Sequence, residues 1–158
     1  VWVNGGLARI AICISSVYLI ISLAAQYSEG QRVFQVFAST PEDMGPADIG
    51  GHAARAEAMG FDGLQVPDAI HDGLLLAALA LNATSSLIVG TAVLVAFARS
   101  PMVTAIAAWD LQAMSGGRFE VGLGTQIKPN IEKRYSARWD SPVPQMREYV
   151  QAMQAIFR

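Results

Sequence analysis

The stretch that decides the fold runs from residue 85 to residue 126, SSLIVGTAVLVAFARSPMVTAIAAWDLQAMSGGRFEVGLGTQ. Its first apolar run, Leu87 to Phe97, is rich in Val and Ile and shows no polar alternation, which is how a strand buried on both faces reads. Ser100-Pro101 then supplies an N-cap residue and a proline at the first helical position. MVTAIAAWDLQAM follows as a helical pattern, with Met102, Ile106, Trp109 and Ala113 on one apolar face. The glycines of Ser115-Gly116-Gly117-Arg118 end it, and RFEVGLG is a second apolar run. Strand, helix, strand in this order implies parallel strands joined by a crossover.

Outward from this stretch, the pattern repeats from Val33 onward about every 30 residues, the length of a βα unit. The first strand is RVFQVFA; its helix opens near Gly45-Pro46-Ala47-Asp48, carries Ile49, Ala53, Ala56 and Met59 on one face, and stops at Gly60. The second strand is DGLQVPD, and LLLAALALNA follows with Asp72 as N-cap. The third strand is LIVGTAVLV and the fourth RFEVGLG; a polar loop then leads to Ser141-Pro142 and a last helix with the stripe Val143, Met146, Val150, Met153, Ile156 and Phe157. Right-handed crossovers between consecutive parallel strands give a doubly wound sheet or a barrel. In both, ligands meet the C-terminal strand ends, so the residues to question are Ser39, Thr40 and the segments 67–72, 91–97 and 122–128.

The chain has 158 residues, 53% hydrophobic and 15% charged, with a net charge of -2 and no basic stripe that would track a nucleic acid. A closed β/α barrel typically takes about 250 residues, so four units amount to half of one. Cys13 is the single cysteine, which excludes an internal disulfide and a multi-cysteine metal site. Residues 10–28 carry no charge, a length that approaches one bilayer span. Residues 1–30 therefore read as an apolar leader, with membrane anchor, signal segment, unrelated segment or core element as competing readings, and residues 31–158 as the barrel-type domain.

Pro67-Asp68-Ala69-Ile70-His71-Asp72 gathers two carboxylates and one of the two histidines at a strand end. A histidine there can move a proton near neutral pH when a carboxylate orients its ring; the competing reading is a helix cap with a surface histidine. His52 falls within the first helix and reads as exposed. No metal-ligand spacing connects the two histidines. Gly90 interrupts a buried strand, which marks a bulge or a close backbone approach. Gly122-Leu123-Gly124 is an incomplete dinucleotide fingerprint, with Thr125 and Gln126 adding neutral hydrogen-bonding groups. Arg99 and Arg118 frame the third helix and read as solvated helix-end charges.

Taken together, GFDGLQVPD, HDGLLLAALALNATSSLIVG and its continuation to GLGTQIK, and SPVPQMREYVQAM resemble the luciferase-like monooxygenase superfamily, in particular its coenzyme F420-dependent oxidoreductase branch. The resemblance runs in order from about Val33 to Arg158. It implies an α/β fold, a TIM-like (β/α)8 barrel of which this chain holds about four units. It implies a flavin or deazaflavin at the C-terminal mouth and a strand-three bulge with a non-prolyl cis peptide, here Ala92-Val93. The implied cofactor-binding residues are Thr91, Ala92, Val93, Gly124, Thr125 and Gln126, and the catalytic ones His71 and Asp68. Many F420 members carry Asp-His at the end of strand two; here Ala69 follows Asp68 and the histidine comes later.

The expected function is a cytoplasmic F420-dependent oxidoreductase that passes hydride between the deazaflavin and a small organic substrate. An FMN-dependent monooxygenase is the nearest alternative. An inactive fragment, membrane-associated through residues 10–28 or paired as a homodimer, is the non-enzymatic one.

Overall fold

Alternation of strand and helix builds a single parallel sheet. The computed structural model describes residues 10–12 and 35–158. The strands are β1 (Ile10–Ile12), β2 (Phe37–Ser39), β3 (Gly63–Val66), β4 (Ile88–Thr91), β5 (Leu94–Val95) and β6 (Phe119–Gly124). The helices are α1 (Ile49–Ala58), α2 (Gly73–Asn82), α3 (Pro101–Met114), α4 (Lys128–Lys133) and α5 (Pro142–Ile156). The sheet order is β1-β6-β4-β3-β2, all pairs are parallel, and β5 continues alongside β6. The four strands expected from the sequence thus stand in chain order. β1 lies beyond them, with Ile10 opposite Val121 and Ile12 opposite Leu123. The remaining readings of residues 1–34, Cys13 included, lie outside the described residues. Among the described residues, no helix is long and apolar enough to cross a membrane.

Period-two alternation separates the faces of the sheet. Leu64, Val66, Val89, Phe119, Val121 and Leu123 are buried in the core shared with α1, α2, α3 and α5. At the alternate positions Gly63, Gln65, Gly90 and Glu120 are small or polar, beside Phe37 and Ile88. Ser39 stands opposite Gln65, Gln65 opposite Gly90, and Gly90 opposite Glu120, one row across four strands. In the row below, Phe37 lies over Gly63 so closely that a Cβ there would come within 2.2 Å of the ring.

Local chemistry sets the helix ends. Asp72 accepts from the N–H groups of Leu74 and Leu75 at 2.9 and 3.0 Å, and Ser100 caps α3 at Val103 N–H at 3.2 Å. Gly60 follows α1 with φ 83°, the left-handed conformation in which glycine meets no Cβ penalty. The short helix α4 occupies the segment read from the sequence as a plain loop.

The packing departs from the sequence reading at Met59, which is exposed beyond the end of α1, on α3 and at Arg118. The buried face of α3 is Thr104, Ala105, Ala108 and Leu111, whereas Met102, Ile106 and Trp109 are exposed by 51, 54 and 44%. α3 has apolar residues on both sides, so periodicity alone could not choose between them. Arg118 is no solvated charge. Its guanidinium donates to Ser115 O, Thr84 Oγ1, Leu87 O, Leu81 O and Thr84 O, tying the end of α2 to the start of β6.

Candidate functional site

The third strand read from the sequence breaks into β4 and β5. Gly90 pairs with Glu120 and Leu94 with Leu123, so four steps along one strand match three along the other. That is a one-residue β-bulge. The Ala92-Val93 peptide within it is cis, as the resemblance implied.

The surroundings of the bulge explain the glycines of Gly-Leu-Gly. Thr91 Oγ1 donates to Gly122 O and accepts from Gly122 N–H, each at 2.9 Å. A Cβ at Gly122 would lie 2.0 Å from the Thr91 carbonyl oxygen, and one at Gly124 would lie 2.3 Å from Val93 Cγ2. Both positions are kept bare by the bulged strand. Thr91 is 4% exposed and its hydroxyl is engaged in the sheet, while Ala92 and Val93 remain half-buried at the strand end. Beyond β6, Gln126 adopts φ 62°; its Oε1 accepts from Ile127 N–H at 3.0 Å and its carbonyl accepts from Thr125 Oγ1 at 3.0 Å. Left-handed backbone at a bulky residue is uncommon and concentrates at functional sites.

The loop 68–72 meets the same bulge. Asp68 is 8% exposed; its Oδ1 accepts from Gly73 N–H at 3.1 Å and its Oδ2 from Val95 N–H at 3.0 Å. Arg99 Nη2 reaches both Asp68 oxygens at 3.2 Å and Asp72 Oδ2 at 2.9 Å. Arg99 is therefore an internal tie and not the solvated charge expected. Partial burial works against the charged form of Asp72, but the Leu75 N–H, the Arg99 guanidinium and the Leu74 N–H together outweigh it and hold the pKa below the ordinary carboxylate value. The Arg99 guanidinium is opposed by its own desolvation, yet Asp68 and Asp72 keep its pKa above the usual value.

His71 lies between Asp68 and Asp72 in the chain and is half-buried, and its Nε2 lies 3.7 Å from where a Cβ on Gly45 would be. The side chain thus reaches the loop that follows β2. Arg134 donates to Ala69 O, so the segment after α4 meets the His71 loop. In the same segment Trp139 packs edge-on against Phe97, ring centroids 5.6 Å apart. His52 is not the exposed helix residue expected: it is half-buried and its Nε2 lies 3.2 Å from Ser39 O at the end of β2.

The bulge and loop bring Asp68, His71, Thr91, Ala92, Val93, Gly124, Thr125 and Gln126 to one end of the sheet. Arg99 and the Thr91–Gly122 pair were missed in the sequence because the partners lie about 30 residues apart, with no local spacing to mark them. Half-exposed Ala92 and Val93 form a small apolar surface at the strand end, and Thr125 and Gln126 carry neutral donors and acceptors beyond β6. No group of His, Cys, Asp and Glu able to hold a metal ion occurs among the described residues.

Comparison with known proteins points the same way. The uncharacterised protein Rv1360 of Mycobacterium tuberculosis is 45% identical over 128 residues, which covers 81% of this chain and 37% of the relative. A protein named as a coenzyme F420-dependent oxidoreductase, Rv3520c of the same organism, is 33% identical over 76 residues, 48% of this chain and 22% of its own. The chain thus spans little more than a third of the curated relatives it matches. Among solved structures, the oxygenating constituent of 3,6-diketocamphane monooxygenase from Pseudomonas putida, in complex with FMN, superposes with a TM-score of 0.66 at 16% identity, over 77% of this chain and 40% of that one. The coenzyme F420-dependent tetrahydromethanopterin reductase of Methanopyrus kandleri gives a TM-score of 0.59 at 24% identity, over 68% of this chain and 31% of that one. These likenesses establish the fold, a parallel α/β half of a TIM-type barrel. The sequence model of one family extends over residues 21–158, reaching back into the apolar run, and with that span matched the chain belongs to the luciferase-like monooxygenase family.

Proposed function

We propose that this chain forms the N-terminal half of an F420-dependent oxidoreductase acting on a small organic substrate. The single observation that carries the reading is the bulge at Ala92-Val93, tied through Asp68 to the loop bearing His71, at the strand ends where β/α barrels bind their ligands. When bound, the deazaflavin supplies the hydride chemistry. The chain supplies position and protonation. Ala92 and Val93 back one face of the ring, while Gly124 leaves room for Val93 and Thr125 and Gln126 line the rim. His71 exchanges a proton at Nε2, and Asp68, whose two oxygens are occupied by backbone N–H groups and Arg99, holds the loop in place.

F420 is preferred to FMN because the relative named as F420-dependent shares 33% sequence identity, whereas the FMN-bound structure shares 16% and so speaks for the fold alone. Four βα units leave a barrel unclosed, so turnover requires the remaining units. Titration of the completed barrel with F420 and with FMN, followed by cofactor fluorescence, tests the assignment. Saturable binding of F420 and none of FMN is expected; the reverse order would establish the flavin monooxygenase reading instead.

A further inference from the structure

Arg99 and Arg118 are both partly buried, and they use their donors very differently. Arg118 directs three nitrogens to five acceptors, as a structural tie does. Arg99 holds Asp68 and Asp72 through Nη2 alone, at 2.9 to 3.2 Å, while its buried Nε finds no acceptor among the described residues. Leaving a buried guanidinium N–H unpaired is costly. The geometry that imposes this cost is the one in which a single nitrogen sits between Asp68 and Asp72.

We infer that Arg99 is a positioning residue which couples the His71 loop to the strand bulge. Asp68 and Asp72 bracket His71 in the chain, and Arg99 draws both carboxylates to one point. Asp68 passes the constraint to β5 by accepting Val95 N–H, and to α2 by accepting Gly73 N–H. Asp72 fixes the other end of the loop on Leu74 and Leu75. Arg99 thereby ties together the two ends of the His71 loop, one of which Asp68 joins to the bulge. The charged groups on the segments around that loop are Asp68, Asp72 and Arg99, Arg134 after α4, and Glu42, Asp43 and Asp48 in the segment that carries Gly45. The inference rests on the proposed proton-transfer role of His71, but its test does not require turnover.

The chain has two histidines, so imidazole carbon-bound proton signals at fixed pH give one reporter at His71 and an internal reference at His52. In Arg99→Met the two carboxylates lose their shared cation, so the His71 signals should move while those of His52 stay in place, and the Gly73 and Val95 amides held by Asp68 should exchange about tenfold faster. Arg99→Lys restores the charge without the planar fork and should bring the His71 signals most of the way back. Asp72→Asn removes one of the two carboxylates that Arg99 joins and should also move the His71 signals; it keeps the question decidable if Arg99→Met fails to fold. A folded Arg99→Met chain with unmoved His71 signals and unchanged Gly73 and Val95 exchange, or with His52 moving equally, overturns the inference. If the completed barrel shows no F420 turnover, the functional proposal fails while the spectra still decide the role of Arg99.

Discussion

The Thr91 hydroxyl occupies both hydrogen-bonding groups of Gly122, donating to its carbonyl and accepting from its N–H, each at 2.9 Å. A side chain thus replaces the backbone ladder where the bulge interrupts it. Thr91→Val keeps the shape and removes the hydroxyl, leaving two buried backbone groups unpaired. Denaturant unfolding should show a loss of about 2 to 3 kcal/mol, and Thr91→Ser should recover most of it.

Gly122→Ala tests the same contact from the other strand. Its Cβ would meet a backbone carbonyl at 2.0 Å, so the sheet itself must move; for Gly124→Ala the obstacle is the Val93 side chain at 2.3 Å. Both should destabilise, Gly122→Ala by about 3 kcal/mol or more and Gly124→Ala by less. Equal tolerance of alanine at 122 and at a surface position would show that the bulge does not press on β6.

Much of this arrangement was readable from the sequence, and the boundary of what was readable is physical. Local chemistry announced itself: Ser100-Pro101 and Asp72 began helices, Gly60 ended one, and strand-helix alternation required parallel order. What failed to show depended on partners distant in the chain. Arg99 and Arg118 looked alike as helix-end charges, yet each is consumed by groups about 30 residues away. On α3 two apolar stripes competed, and only packing against β6 and α5 selects Ala105, Ala108 and Leu111 for burial.

That selection is measurable. Leu111→Ala should cost about 2 to 4 kcal/mol, because Leu111 is 6% exposed and its truncation leaves a cavity. Ile106→Gln, at a side chain 54% exposed, should stay within about 0.5 kcal/mol. A larger loss at Ile106 than at Leu111 would restore the face read from periodicity.

Glu57 links α1 to the start of β4. Its Oε1 accepts from Ser86 N–H at 2.6 Å, Ser85 N–H at 2.9 Å and Leu87 N–H at 3.0 Å. The Ser86 N–H leads in lowering the pKa to about 2; desolvation opposes it, and the Ser86 hydroxyl with the Ser85 and Leu87 N–H groups adds to the lowering. A depressed carboxylate pKa means that the folded state binds the proton less readily than the unfolded chain. Its stabilising contribution is therefore complete above about pH 4.5 and is lost as pH falls toward 2. Because the carboxylate is open to solvent, screening reduces its worth, and Glu57→Gln should lower stability at pH 7 by no more than about 1 kcal/mol while flattening this part of the acid-unfolding curve. An unchanged acid limb in the variant would place the titration elsewhere.

The two histidines provide the sharpest test of the proposed chemistry, since both approach strand ends and the proposal gives proton transfer to only one. His71 lies on the loop fixed by Asp68, Asp72 and Arg99, with Nε2 facing the loop at Gly45. His52 is occupied at Ser39 O, where it joins α1 to β2. In the completed barrel, His71→Ala should lower F420-dependent turnover by about 10²- to 10⁴-fold, the usual contribution of a positioned acid or base. It should also remove the limb of the pH–rate profile that belongs to the imidazole. His52→Ala should cost about 1 kcal/mol of stability through the lost hydrogen bond and leave the shape of that profile intact. The 158-residue chain alone should show no turnover with either histidine present, because a four-unit sheet does not enclose a ligand from all sides. If turnover of the completed barrel is the same with and without the His71 imidazole from pH 5 to 9, the loop serves only to start α2, and the proton must be exchanged by a group from the other half.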